Sequence, residues 1–207
     1  ETGSGNTGVM AGFRIAVQHT NERRGLASAI VAHFVFATVA IPVTSLTPII
    51  AVTVLKRGAG SYGLLAGAIG IGAIIGALVM GSIDHRVPPS RLLITGTILG
   101  VIGLGILAFT RHLALALPLL GLYGIAYLSF TSINLSTIQR LSHPRLRGRV
   151  ASLWMMSYGI GLPTGLVVQG ILADRWGVRT MLGIDSVVLA IAALVAIVTR
   201  GLQPMDR

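Results

Sequence analysis

YGLLAGAIGIGAIIGALVMGSI, the stretch from Tyr62 to Ile83, runs for 22 residues without a charged side chain. A helix needs about 20 mainly apolar residues to cross the hydrocarbon core of a bilayer, so this stretch predicts a transmembrane helix. The whole chain fits the same environment, because 53% of its 207 residues are hydrophobic, 11% are charged and the mean hydropathy is +0.83. This composition excludes an ordinary soluble domain and indicates a polytopic membrane protein.

Six apolar runs of spanning length follow one another along the chain and predict an all-α fold with six transmembrane helices. Residues 1–25 are predicted to form a cytoplasmic linker with a short amphipathic helix, 26–199 the six-helix bundle and 200–207 a cytoplasmic tail. Pro42 and Pro48 should bend the first run or end its regular part, since neither has a backbone donor. The predicted spans are about 26–55, 62–83, 91–109, 113–135, 150–172 and 180–199.

Basic residues are distributed unevenly over the loops. The net charge is +10, and with six spans the two ends and alternate loops place 11 of the 16 basic residues on one side and 5 on the other. Because cytoplasmic loops accumulate arginine and lysine, both ends are predicted to be cytoplasmic, and no nucleic-acid partner is expected. The chain has no cysteine and no glycine-rich phosphate loop, which excludes thiolate metal sites and an ATP-driven pump domain. We expect no cofactor, no metal and no enzymatic activity.

Of the polar side chains inside apolar runs, where such groups are costly and usually face the bundle interior or a water-filled path, five are selected as candidates. These candidates for a substrate or proton pathway are His33, Asn134, Tyr158, Gln169 and Asp185. A hydrogen bond to a neighbouring helix is the alternative role for His33, and Asn134 could equally hold helices together. Asp185 is the only acid within a run, and its proximity in sequence to Arg179 and Arg175 favours a structural ion pair.

The second run is rich in glycine, which lets helix backbones approach each other in lipid. Gly63 and Gly67, and then Gly72 and Gly76, are four residues apart, and both pairs are predicted helix contacts. The stretch from Gly70 to Gly76 superficially resembles a dinucleotide fingerprint. It lacks the preceding strand and the later acidic residue that such a site requires, so it does not predict a cofactor.

Two loops carry a resemblance to a known family. GILADRWGVR, Gly170 to Arg179, resembles a loop that recurs in the major facilitator superfamily, and PRLRGRV, Pro144 to Val150, is similar to a loop of its drug and siderophore exporter branch. GIGLPTG, Gly159 to Gly165, resembles the Gly/Pro-rich helix of the same branch. The packing residues implied there are Gly161, Pro163 and Gly165. The resemblance covers essentially the whole chain and maps it onto the second six-helix half.

The resemblance also implies loop residues whose contacts change as the transporter changes conformation. GSIDHRVPP, Gly81 to Pro89, lies at the position of the family's conserved loop between the second and third helices of a half. Its spacing from Gly81 to Asp84 is one residue short, and two prolines replace the usual glycine. The implied conformational residues are Asp84, Arg86, Arg147, Gly148, Arg149, Asp174, Arg175, Gly177 and Arg179.

By resemblance, we expect the C-terminal half of a twelve-helix secondary exporter of the cell (inner) membrane. It would export small lipophilic molecules, drugs or siderophores by alternating access coupled to protons, together with a missing N-terminal half. An autonomous six-helix half-transporter or channel acting as a homodimer is the alternative. An intramembrane enzyme is disfavoured, because the nearest glycine-flanked serine, Ser61, has no clear histidine partner.

Overall fold

The structure is a computed structural model, and it describes residues 14–55, 60–83, 87–198 and 205. Within these ranges the chain is helical and contains no strand. A π-helical turn follows the third helix, and a 3-10 turn lies between the sixth and seventh helices. The elements are α1 (14–22), α2 (Arg24–Val39), α3 (Pro42–Ile49), the π turn (Ile50–Val54), α4 (Gly60–Ile83), α5 (Pro89–Phe109), α6 (Leu113–Leu141), the 3-10 turn (Pro144–Leu146), α7 (Arg147–Trp176) and α8 (Val178–Val198).

Six stretches of the described chain are long and apolar enough to cross a membrane, as the sequence predicts. Span 1 consists of α2, α3 and the π turn, and spans 2 to 6 are formed by α4 to α8. Helix α6 continues to Leu141, and span 5 begins at Pro144, beyond the bounds predicted from the apolar runs. Backbone hydrogen bonding continues past the last apolar residue, so an apolar run marks the membrane core better than it marks the helix end.

Span 1 is broken at the two prolines, which confirms the prediction made for them. Helix α2 ends at Val39, and α3 begins at Pro42, which supplies no N–H for the preceding turn. Pro48 lies inside α3 and is followed by the π turn at Ile50–Val54. The carbonyl groups released at such a break need partners from other helices when the break lies at membrane depth.

The spans pack side by side as a bundle. Helix α4 packs on α6, α6 also packs on α5, α5 packs on α8, and α2 packs mainly on α7. Large side chains fill the interior between them, among them Leu104 of α5, Tyr123 of α6 and Leu182 of α8. Spans 2 and 5 are the least enclosed, because 17% and 22% of their most apolar segments are buried, against 50% for span 1. These two spans therefore present most of their surface outside the six-helix bundle.

Candidate functional site

A buried polar network joins spans 1, 4 and 5. His33 of α2 has its Nδ1 atom 2.7 Å from Ser157 Oγ of α7, and its ring stacks on Trp154 with 4.2 Å between the ring centroids. Trp154 Nε1 donates a hydrogen bond of 3.0 Å to Asn134 Oδ1 of α6. Asn134 Nδ2 in turn donates to the carbonyl oxygen of Ala29 at 2.9 Å. His33 and Asn134 are each fully buried, so the sequence-predicted pair lies at the centre of one interhelical network.

One nitrogen of His33 has no partner in this network. Ser157 Oγ donates its single hydrogen to the carbonyl oxygen of Trp154 at 2.7 Å, so towards His33 it acts as an acceptor. The Nδ1 atom of His33 therefore carries a hydrogen. Its Nε2 atom is buried and has no hydrogen-bond partner among the described residues. In a neutral ring this Nε2 atom is a proton acceptor held inside the bundle.

Gln169 lies at the break in span 1. Its Nε2 atom donates a hydrogen bond of 2.7 Å to the carbonyl oxygen of Val39, the last residue of α2. Tyr123 of α6 donates to the next carbonyl, that of Ala40, at 2.6 Å. The Oε1 atom of Gln169 is buried without a partner in the described structure. Gln169 thus stabilises a broken helix, a role that the pathway prediction did not include.

Asp185 is buried in α8 but does not form the ion pair that the sequence favoured. It is 4% exposed, and its Oδ2 atom has no partner within the described ranges. Arg179 instead donates from Nη2 to the carbonyl oxygens of Val54, at 3.1 Å, and Thr110, at 3.5 Å. Both carbonyls lie at the C-terminal ends of helical segments, where the helix dipole attracts a cation. The arginine is therefore engaged elsewhere, and Oδ2 of the carboxyl group has no partner among the described residues.

Tyr158 lies beside the network without joining it. Its side chain is half-buried and packs against the apolar core. The sequence analysis did not propose Trp154 and Ser157 of the network as site residues, nor Tyr123, which donates to the Ala40 carbonyl at the break in span 1. Ser157 follows Trp154 by less than one turn of α7, but spacing on one helix does not identify the partners that other helices supply.

The conformational residues implied by resemblance lie at span ends. Arg147, Gly148 and Arg149 are exposed at the start of α7. Asp174 and Arg175 are exposed near its end, and neither forms an ion pair with another described residue. Gly177 has φ +82°, a conformation that favours glycine, and it makes the turn into α8. Asp84 and Arg86 lie outside the described residues.

The predicted packing glycines have different surroundings. A Cβ atom at Gly72 would overlap the carbonyl oxygen of Gly121, and one at Gly76 would lie 2.8 Å from the carbonyl oxygen of Ile125. By contrast, Gly63 and Gly67 have no atom within 4 Å of that position and are exposed, so the helix contact expected for this pair is not formed within the bundle. Gly161 and Gly165 of α7 adjoin α2, whereas Pro163 is exposed.

Comparison with known proteins identifies the family of this bundle. A family model described as transmembrane secretion effector, MFS_3, matches residues 5–207. The enterobactin exporter EntS of Citrobacter koseri is 27% identical over 133 residues, which are 64% of this chain and 32% of that protein. The multidrug efflux pump Tap of Mycolicibacterium fortuitum is 27% identical over 140 residues, 67% of this chain and 34% of the pump. The putative uncharacterized transporter YgaY of Escherichia coli is 29% identical over 150 residues, 71% and 36% of the two chains.

The six-helix architecture and these similarities define a multi-pass membrane protein of the major facilitator superfamily, with the six spans of one half of its twelve-helix fold. The chain belongs to the transmembrane secretion effector family. It spans about a third of the length of the curated relatives that it matches. Its relatives are transporters, in agreement with the expectation that the chain is not an enzyme.

Proposed function

We propose that this chain is the second six-helix half of a proton-coupled exporter of small lipophilic molecules, drugs or siderophores. The relatives named as an enterobactin exporter and a multidrug efflux pump support the export of such molecules. The half would work with an N-terminal six-helix half in the inner membrane, with both ends of this chain in the cytoplasm. The excess of arginine and lysine on that side supports the orientation.

The observation that carries the proposal is the surface of span 5. This span is the least apolar of the six, yet only 22% of its most apolar segment is buried. The exposed face of such a span is less favourable against lipid than the exposed faces of the more apolar spans. It would instead line a path between the two halves. Met155, Met156 and Thr164 are exposed on it. Methionine side chains adapt to differently shaped apolar ligands, which suits a broad lipophilic substrate range.

Proton coupling is supported by two unpaired titratable groups inside the spans. His33 Nε2 and Asp185 Oδ2 are both buried without a partner among the described residues. Ionisable groups within transmembrane segments are costly, and they often mark proton relays. In alternating access the two halves rock about a site near the bilayer centre, and each group would then exchange protons with one side at a time. Export of the substrate would be driven by proton entry.

Transport by the full-length protein in proteoliposomes tests this proposal. We expect an imposed pH gradient to drive ethidium accumulation. Asp185→Asn should lower that accumulation at least about tenfold, because the amide does not take up and release a proton as the carboxyl group does. Glu22→Gln is the matched control, because Glu22 is exposed and lies outside the spans. Size-exclusion chromatography must show that both variants are folded. Gradient-driven accumulation that persists in Asp185→Asn would remove this residue from the coupling step.

A second variant tests His33 without removing its contact to Ser157. In His33→Asn the amide nitrogen replaces Nδ1 as the donor, while the group that could take up a proton is lost. We expect the pH dependence of transport to change while the thermal stability of the protein is largely kept. If both variants accumulate ethidium under a pH gradient as the wild type does, proton coupling through these spans is refuted.

The upstream coding sequence, read in frame, tests the half assignment. Six further spans before residue 1 would support a twelve-helix transporter. A start codon directly upstream would favour the homodimer alternative, in which a second copy covers the exposed faces of α4 and α7. Cross-linking between cysteines introduced at Gly159 would then join two identical chains.

A further inference from the structure

An apolar groove lies between spans 1 and 6, apart from the polar network. It has a volume of about 370 Å³ and is lined by residues of α2, α5, α6 and α8. Among the described residues that line it, only Ser28 and Thr97 carry polar side chains. The Thr97 hydroxyl already donates to the carbonyl oxygen of Leu93 at 2.8 Å. The groove therefore suits a hydrocarbon chain better than a ligand with several hydrogen-bonding groups.

Helix α2 separates this groove from the network. Val31 and Val35 line the groove, whereas His33, midway between them in sequence, contacts α7. At 3.6 residues per turn, the two valines lie on nearly the opposite side of the helix from His33. Phe36 and Phe130 stack with 4.0 Å between their centroids and close the inner wall. A ligand in the groove would thus not reach the network.

The groove opens at the side of the bundle, between α2 and α8. Val31 on α2 and Val195 on α8 flank it, and they are 61% and 52% exposed. The lining part of α2 extends from Ser28 to Phe36, about 12 Å along the helix axis. That length fits one segment of an acyl chain lying along the bilayer normal.

Two arginines lie at the end of the groove where α2 and α5 begin. Arg24 precedes Ser28 by four residues, and Arg91 precedes Ile94 by three, so each shares a helix face with a lining residue. Both arginines are exposed. A guanidinium group binds phosphate with directed hydrogen bonds as well as charge. The apolar groove and the two cations together have the chemistry of one amphiphile with an anionic head.

We propose that this groove binds an anionic phospholipid, with one acyl chain between α2 and α8 and the phosphate at Arg24 and Arg91. The lipid comes from the leaflet at the side where α2 begins. The site is independent of the transport proposal, because neither the groove nor the two arginines belong to the network or to the exposed face of span 5.

Lipid titration of the purified full-length protein, followed by native mass spectrometry, tests the site. The probes are phosphatidylglycerol and phosphatidylcholine with the same acyl chains. We expect phosphatidylglycerol to bind at least about tenfold more tightly than phosphatidylcholine. The double variant Arg24→Gln/Arg91→Gln should abolish that preference. Arg140→Gln is the matched charge control, since Arg140 is exposed at the end of α6 and does not line the groove.

Filling the groove tests the acyl-chain part. Ala192→Trp and Ala196→Trp place a large ring inside it, and each should reduce phosphatidylglycerol binding about tenfold. Ala190→Trp is the control on the same helix, because Ala190 is exposed and outside the groove. Unchanged thermal melting establishes that the variants are folded. One folded groove variant is enough for the test. Unchanged binding in a folded groove variant, equal binding of the two lipids, or a preference that survives loss of both arginines would overturn the proposal.

Discussion

The α4–α6 and α2–α7 interfaces both depend on glycine for close approach of the backbones, but they differ in their side-chain hydrogen bonds. Between α4 and α6, Gly72 and Gly124 bring the two backbones together, and no side-chain hydrogen bond joins these helices among the described residues. Between α2 and α7, Gly161 and Gly165 allow the approach, and His33 and Gln169 add hydrogen bonds across it.

The difference follows from the state of the backbone in each pair. Helix α4 is continuous from Gly60 to Ile83, so its interior carbonyls are bonded within the helix. Span 1 is interrupted between α2 and α3, and its released carbonyls need donors. Glycine at position 165 allows the break to lie directly against α7, where a Cβ atom would overlap the carbonyl oxygen of Thr38. Close packing alone can hold two regular helices, whereas a broken one also needs polar partners.

The largest expected effect is at the glycine interface. Gly72→Ala places a methyl group on the carbonyl oxygen of Gly121, and neither backbone can yield without separating the helices. We expect a loss of about 3 kcal/mol in the free energy of unfolding, measured on the full-length protein in detergent. Gly67→Ala is the control on the same helix, with open space around the new Cβ, and should change stability by less than about 0.5 kcal/mol. Equal stability of the two variants would show that α4 and α6 are not in close contact.

The next effect is at the break in span 1. Gln169→Leu removes the donor to the Val39 carbonyl and leaves that oxygen buried without a partner. Interhelical hydrogen bonds in membranes contribute up to about 1.7 kcal/mol, so a loss of about 1–2 kcal/mol is expected in the same unfolding measurement. Gln139→Leu provides the comparison, since Gln139 is exposed at the end of α6. If the two substitutions had the same effect, the break would not depend on α7.

Much of the fold follows from the sequence, because apolar length and proline position act locally. The six spans and the break at Pro42 depend on these two features alone. The rotation of each helix about its own axis does not follow from the sequence. Lipid is as apolar as the core, so a spanning helix has no polar stripe to mark its outer face. Gly63 and Gly72 therefore carry the same sequence signal, yet only the second meets another helix.

The candidate site, like the fold, could be predicted only in part from the sequence. A polar residue in an apolar run is conspicuous, which is why His33, Asn134, Gln169 and Asp185 could be selected from the sequence. Their partners lie far away in the chain, as Asn134 and Ala29 do, and are fixed only by which helices adjoin. Arg179 illustrates the consequence, because the nearest acid in sequence is not its partner and two helix-end carbonyls are.

The smallest effect tests whether the polar network has an energetic role of its own beside the glycine contacts of α2 and α7. Trp154→Phe keeps an aromatic ring against His33 but removes the Nε1 donor to Asn134. We expect a loss of about 1 kcal/mol, since one interhelical bond is lost and the stacking is kept. Trp176→Phe is the control, because Trp176 is 61% exposed.

A double-mutant cycle with Asn134→Leu separates the bond from other effects of the smaller ring. If the Trp154–Asn134 bond contributes, the loss of stability in the double variant should be smaller than the sum of the two single losses by about 0.6 to 1.7 kcal/mol. Strict additivity would mean that Trp154 stabilises the bundle by packing alone. The α2–α7 interface would then resemble the α4–α6 interface except at the break, and Gln169 with Tyr123 would be the polar groups that span 1 requires.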